Sequence, residues 1–212
     1  MIPGPERYGY AMAIRRVPLL VSIILLLNGP RTGAAWGEQR EYVPAASGEY
    51  SFLAGYGITH RGFGQTRTQV QTVDFIGRYG YFLTDQLGRG WYRGQFEHVV
   101  ELPLHLAVDP KTRIMTGANL LANWKLTALA EKRLFPYVFA GGGVLYVDLG
   151  LPTMGSRLDF SYGGGTGLQY LYRKDLAVSA EYRYHHISNA STAEPNEPLN
   201  SSKFLFGITL FR

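Results

Sequence analysis

The chain has 212 residues, a net charge of +5, no cysteine, 26 glycines and 15 tyrosines, with only 17% charged residues. Lack of cysteine excludes a disulfide-stapled scaffold, and the length suits one domain. The Lys and Arg residues are dispersed rather than gathered with aromatics, which leaves nucleic-acid binding without support; the basic balance fits a phosphorylated lipid surface or, equally, solvated loop charge.

In chain order, Arg15 and Arg16 precede the apolar run VPLLVSIILLL, followed by NGPRTGAA with small residues at Gly33 and Ala35. That order is the pattern of a secretory signal peptide, and the run is shorter than the about 20 apolar residues a spanning helix needs. Residues 1–35 are therefore expected to be a cleavable signal, cut near Ala35–Trp36, with Met12 an alternative start. Residues 36–212 are expected to form a single domain.

Beyond this point the chain alternates in character over eight stretches, near 49–59, 68–84, 91–107, 112–127, 133–147, 157–172, 175–189 and 202–211. Each is closed by polar or Gly/Pro/Asp clusters. No helix is required, although ANLLANWKLTALAEKR is also compatible with one.

From Leu158 to Tyr172 the even positions are mostly apolar or aromatic, whereas the odd ones are mostly polar or glycine. The last stretch repeats this with Phe204, Phe206, Ile208 and Leu210. Side chains in a strand alternate faces, so one face is apolar and the other polar or tiny. A soluble lipocalin-like barrel would turn the apolar face inward. Glycines suited to a crowded small-barrel interior, and aromatics gathered toward strand ends, favour the inverse arrangement. The expected fold is all-β: an eight-stranded antiparallel transmembrane β-barrel of the outer membrane, since only a closed barrel satisfies its backbone in lipid without helices.

The seventh stretch runs into EYRYHHISNASTAEPNEPLNSS. Its phase puts Glu181, Arg183 and His185 inside, and Tyr184, His186 and Ser188 on the lipid-facing wall. An even-stranded barrel begins and ends in the periplasm, so this strand runs outward and His186 and Ser188 lie near the outer leaflet. Polar groups facing lipid are costly and call for a reason. Residues two apart on one face are roughly 6.6–7 Å apart at Cα, within reach for an imidazole to meet a hydroxyl, the nucleophile–base unit of ester hydrolysis. His185 and His186 point to opposite faces and cannot share a metal, and the sequence calls for no cofactor. His60, His98 and His105 follow no recognisable spacing, and Glu97 and Glu101 read as interior or loop packing.

The segment HISNA, the following PN and the closing NS resemble the C-terminal signature of the lipid A 3-O-deacylase family of Gram-negative outer membranes. The resemblance implies an eight-stranded barrel with a Ser–His–acid triad on its outer wall, with lipid A of lipopolysaccharide as partner and substrate. His186 then matches the general base and Ser188 the nucleophile, while Asn189, Pro195 and Asn196 match other positions of the motif. The family's acid falls on Asn200. Three readings stay open there: Asn200 orients His186, Glu194 or Glu197 supplies the charge, or the site is degenerate. Asn196 and the backbone N–H groups around Ala190–Ser191 are candidates for holding an oxyanion, alongside ordinary loop capping. The expected function is an outer-membrane serine esterase that removes the 3-O-linked hydroxyacyl chain of lipid A. The alternative is a non-catalytic small barrel, structural or ligand-binding.

Overall fold

The computed structural model describes residues 46–212. The expected signal peptide and the boundary at residue 35 lie outside the described residues. Eight strands follow in order: β1 (Gly48–Thr59), β2 (Gln71–Phe82), β3 (Gly94–Asp109), β4 (Arg113–Leu126), β5 (Leu134–Asp148), β6 (Leu158–Leu171), β7 (Leu176–Ser188) and β8 (Leu199–Phe211). Each pairs antiparallel with the next, and β1 also pairs with β8, closing the barrel.

Two of the boundaries that differ from the sequence expectation have a clear local reason. Residues 90–92 form a single 3-10 turn and β3 begins only at Gly94, where two glycines close together break the extended run. β8 begins at Leu199 rather than 202, so Asn200 stands in the strand, directly opposite His186. The helix-compatible segment is β4 followed by one 3-10 turn at Ala130–Lys132.

The alternation sorts side chains as the membrane reading requires. Phe206 is 65% exposed and Leu102 62%, whereas Lys125, Glu101 and Asp74 are almost wholly buried. A lipocalin-like arrangement with the apolar face inside is thereby overturned. The strands present their apolar row outward, where lipid replaces water as the apolar phase. Small apolar clusters close both ends of the interior. Val70, Met115, Leu145, Val147, Ile187 and Leu199 pack at the β1–β2 loop end. Phe135, Leu171, Ala177 and Phe211 pack at the other.

Between the two clusters lies an ionic layer. Glu101 accepts from Arg78 Nε at 2.8 Å and from Arg183 Nη1 at 2.9 Å. Glu181 takes Arg78, Arg183 and the Tyr137 hydroxyl, with Glu181 and Arg183 both on the inner face where the sequence phase puts them. Lys203 binds Asp74, which also meets His105, and Lys125 binds Glu49. Glu97 and Glu101 thus belong to the interior, as expected. Gly167 faces inward beneath Tyr137, where a Cβ would come within 2.1 Å of the ring, so a glycine is what allows the aromatic to lie flat across the strand.

Candidate functional site on the outer wall

The site stands where the external ends of β6, β7 and β8 meet three loops. Strand pairing aligns Tyr162, His186 and Asn200 side by side, and brings Phe160 opposite Ser188. All are even-numbered and outward-facing, so the sheet alone converts residues distant in sequence into one surface.

His186 lies at the centre. Its Nε2 is 3.0 Å from Ser188 Oγ and its Nδ1 is 2.7 Å from Asn200 Oδ1. The Tyr162 ring stacks on the imidazole, with centroids 4.3 Å apart and an interplanar angle of 23°. Tyr184, two residues before His186 on the same face, donates its hydroxyl to Asn200 Oδ1. His186 and Ser188 are half-buried and open to the membrane side, whereas Asn200 is buried at 4% exposure beneath the β1–β2 loop.

The candidate acids fall elsewhere. Both ring nitrogens of His186 are taken, by Ser188 and by Asn200, so neither Glu194 nor Glu197 meets it. Glu194 is exposed in the β7–β8 loop. Glu197 turns the other way and accepts the backbone N–H groups of Arg67 (2.7 Å) and Thr68 (2.6 Å). Burial alone would raise its carboxyl, but the Thr153 hydroxyl, these two N–H groups and the Thr68 hydroxyl outweigh burial and hold it below the ordinary range.

Asn189 and Asn196 shape the loop after the nucleophile. The Asn189 side chain donates to Ala193 O and Pro195 O and accepts Ser191 N–H, so it is committed inside the turn. Asn196 Oδ1 accepts the Asn189 N–H, and its Nδ2 reaches Ser191 Oγ at 3.3 Å. Ala190 and Ser191 both have positive φ, which turns the chain sharply past Ser188. Of the two N–H groups in question, Ser191 is satisfied by Asn189, and that of Ala190 meets no acceptor within the described residues. Gly155 N to Pro195 O and Glu197 N to Thr153 O tie the same loop to the β5–β6 loop.

Thr66, Phe63, Tyr162, Tyr184 and His60 escape a reading by spacing, because cross-strand register and loop folding bring them in. Only Tyr184 leaves a local trace, as the residue two before His186 on the same face. His60 Nε2 lies 2.8 Å from Ser202 Oγ, a second imidazole–hydroxyl contact. That hydroxyl is shared with Tyr182, and no further hydrogen bond orients the His60 ring within the described residues.

A family model described as lipid A 3-O-deacylase (PagL) matches residues 77–209, from within β2 to β8, and so includes the whole His186–Ser188–Asn200 arrangement. The chain belongs to the lipid A 3-O-deacylase (PagL) family. Among solved structures, the outer membrane enzyme PagL is 16% identical with a TM-score of 0.54, covering 77% of this chain and 99% of that one. Neisserial surface protein A is also 16% identical, with a TM-score of 0.58 over 79% of this chain and 98% of that one. At such identity these two likenesses speak for the fold, that of an outer-membrane barrel. Comparison with curated proteins returns no match. β1 and the β1–β2 loop precede the span matched by the PagL family model.

Proposed function

We propose that this PagL-family barrel is an outer-membrane serine esterase that hydrolyses the ester linking a 3-hydroxyacyl chain to the sugar of lipid A. In the same reading residues 1–35 export the chain, and residues 36–212 form its one domain. The observation that carries the reading is His186 held between Ser188 and Asn200 on the lipid-facing wall.

The chemistry follows from that placement. With Asn200 Oδ1 accepting the Nδ1 proton, Nε2 is left with its lone pair toward Ser188. As Ser188 Oγ attacks the ester carbonyl, its proton passes to Nε2; the tetrahedral oxyanion forms, with the Ala190 N–H as a nearby candidate donor. Nε2 then returns the proton to the departing sugar 3-oxygen, leaving an acyl-serine. Water, deprotonated by Nε2, attacks that acyl group, and collapse of the second intermediate releases the fatty acid and restores the Ser188 hydroxyl. Asn200 and Tyr184 hold the ring but bring no charge to offset the imidazolium, so turnover should be lower than with a well-oriented carboxylate. Exposed Arg61 and Arg67 on the β1–β2 loop, with Arg157 on the β5–β6 loop, suit the phosphates of lipid A.

The neutral amide at position 200 is what favours the second reading, a non-catalytic barrel with ligand-binding or structural duty. Mass spectrometry of lipid A after incubation with the purified, folded barrel separates the two. Loss of one hydroxyacyl chain, abolished in Ser188→Ala, is the expected result. Intact lipid A of several acylation patterns after prolonged incubation would favour the non-catalytic barrel.

A further inference from the structure

An asparagine beside a catalytic imidazole presents a danger that a carboxylate does not. Its amide can face the ring with either end. Oxygen toward Nδ1 fixes the Nδ1–H tautomer and leaves Nε2 free to act as a base. Nitrogen toward Nδ1 fixes the opposite tautomer, with a proton on Nε2 pointing at the serine and no base to receive its hydrogen. In serine proteases, replacing the triad Asp by Asn produces that wrong tautomer and costs about 10⁴ in turnover.

The β1–β2 loop removes this ambiguity. Asn200 Nδ2 lies 3.3 Å from the Phe63 carbonyl oxygen and 2.8 Å from Thr66 Oγ1. A carbonyl oxygen only accepts, so the end of the amide facing Phe63 must be the NH₂. Thr66 completes the constraint. Its hydroxyl donates to Pro198 O at 2.9 Å and accepts from both the Asn200 backbone N–H (3.0 Å) and the Asn200 Nδ2. A hydroxyl has one proton and two lone pairs, and all three are in use. Thr66 is 1% exposed, so water does not substitute for any of them. At its other end, Asn200 Oδ1 receives His186 Nδ1–H and the Tyr184 hydroxyl.

We infer that Thr66, with the Phe63 carbonyl, is a positioning element for His186: it fixes the flip of the Asn200 amide, and through it the imidazole tautomer that lets an amide replace the acid. The pocket is accordingly built for an amide. A carboxylate at position 200 would set its second oxygen against the Phe63 carbonyl and a hydroxyl with no proton to spare. The kinetic consequences rest on the esterase reading above; the tautomer does not.

The test uses folded barrels, verified by heat-modifiable migration in gel electrophoresis, of wild type, Thr66→Val, Thr66→Ser and Asn200→Asp. In barrels labelled with ¹⁵N-histidine, with His186→Gln to assign the signal, the neutral His186 ring should carry its proton on Nδ1 in wild type and Thr66→Ser. It should lose that preference in Thr66→Val. Turnover of lipid A should fall about tenfold or more in Thr66→Val with KM little changed, recover for the most part in Thr66→Ser, and fall in Asn200→Asp. An Nε2–H tautomer in wild type overturns the proposal, and that measurement stands even if Thr66→Val does not fold. Wild-type turnover in Thr66→Val, or Asn200→Asp faster than wild type, overturns it as well. An inactive wild type with the Nδ1–H tautomer, lost in Thr66→Val, would sink the esterase reading and leave the positioning role in place.

Discussion

A single imidazole carries the proposed chemistry, and its neighbours differ in what they do for it. Asn200 and Ser188 hold the two nitrogens, while Tyr162 covers the ring face without hydrogen bonding to it. A stacked ring restricts rotation about the histidine side-chain torsions, and an aromatic pair contributes about 0.5–1.5 kcal/mol beyond the area it buries. Removing Tyr162 should therefore matter through its ring and not its hydroxyl. Tyr162→Phe is expected to keep most of the lipid A turnover, whereas Tyr162→Ala should lower it roughly three- to tenfold, the kinetic equivalent of that stacking contribution. Equal losses in the two variants, measured by initial rates on the same substrate, would assign the role to the hydroxyl.

At the scale of elements, the site is a junction of loops on a rigid wall, and Glu197 holds two of them together. Its carboxylate spans from the β7–β8 loop to the backbone of the β1–β2 loop, the loop that carries Phe63 and Thr66. Because these donors hold the folded carboxyl below its ordinary range, the charged form stabilises the junction above the unfolded Glu value, about 4.3. That contribution is lost as pH falls through the lowered folded value. Amide exchange at Arg67 and Thr68, corrected for the intrinsic rate, should thus stay slow from neutral pH down to the Glu range and then accelerate. In Glu197→Gln it should be faster than in wild type at neutral pH and show no such acid step, since both N–H groups meet the single oxygen Oε1, and a neutral amide oxygen there is a weaker acceptor than a carboxylate. Protection independent of pH in wild type would show that the clamp does not depend on the charge.

The same elements show what was legible beforehand. Strand phase from Leu176 to Ser188 was readable because outward Tyr182 and Tyr184 alternate with inward Glu181 and Arg183; it fixed the facing of His186 and Ser188 correctly. The start of β8 was not readable, because Asn200–Ser202 is polar and resembles a loop until its pairing with β7 is seen. That is why Asn200 was recognisable only through a family motif, and why the lock formed by Thr66 was invisible. It depends on the fold of an irregular loop, for which no periodicity exists. The choice among Asn200, Glu194 and Glu197 as the partner of His186 likewise depends on the fold of the β7–β8 loop, since two loop carboxylates close in sequence differ only in where their chain turns.

At the scale of the molecule, the interior behind the outer wall combines buried apolar clusters with an ionic layer, and the ionic layer should help to hold the wall in place. Glu101 is the shared acceptor of Arg78, Arg183 and Asn119 and is wholly buried. Replacing an entire buried ion cluster by well-packed apolar residues is often harmless, but removing one partner leaves charge without compensation and costs about 3–5 kcal/mol. Glu101→Leu would leave two guanidiniums to share Glu181, so its urea midpoint should drop well below wild type. A lipid-facing change such as Phe206→Leu should move it little, because lipid accommodates either side chain. Arg183 lies between Tyr182 and Tyr184 on β7, so slackening at Arg183 reaches the strand that carries His186 and Ser188. Labelling of Ser188 by a fluorophosphonate, measured on the folded fraction of Glu101→Leu, should slow together with the fall in midpoint. A stable Glu101→Leu barrel would mean that strand pairing alone holds the wall, and the ionic layer would then be filling rather than frame.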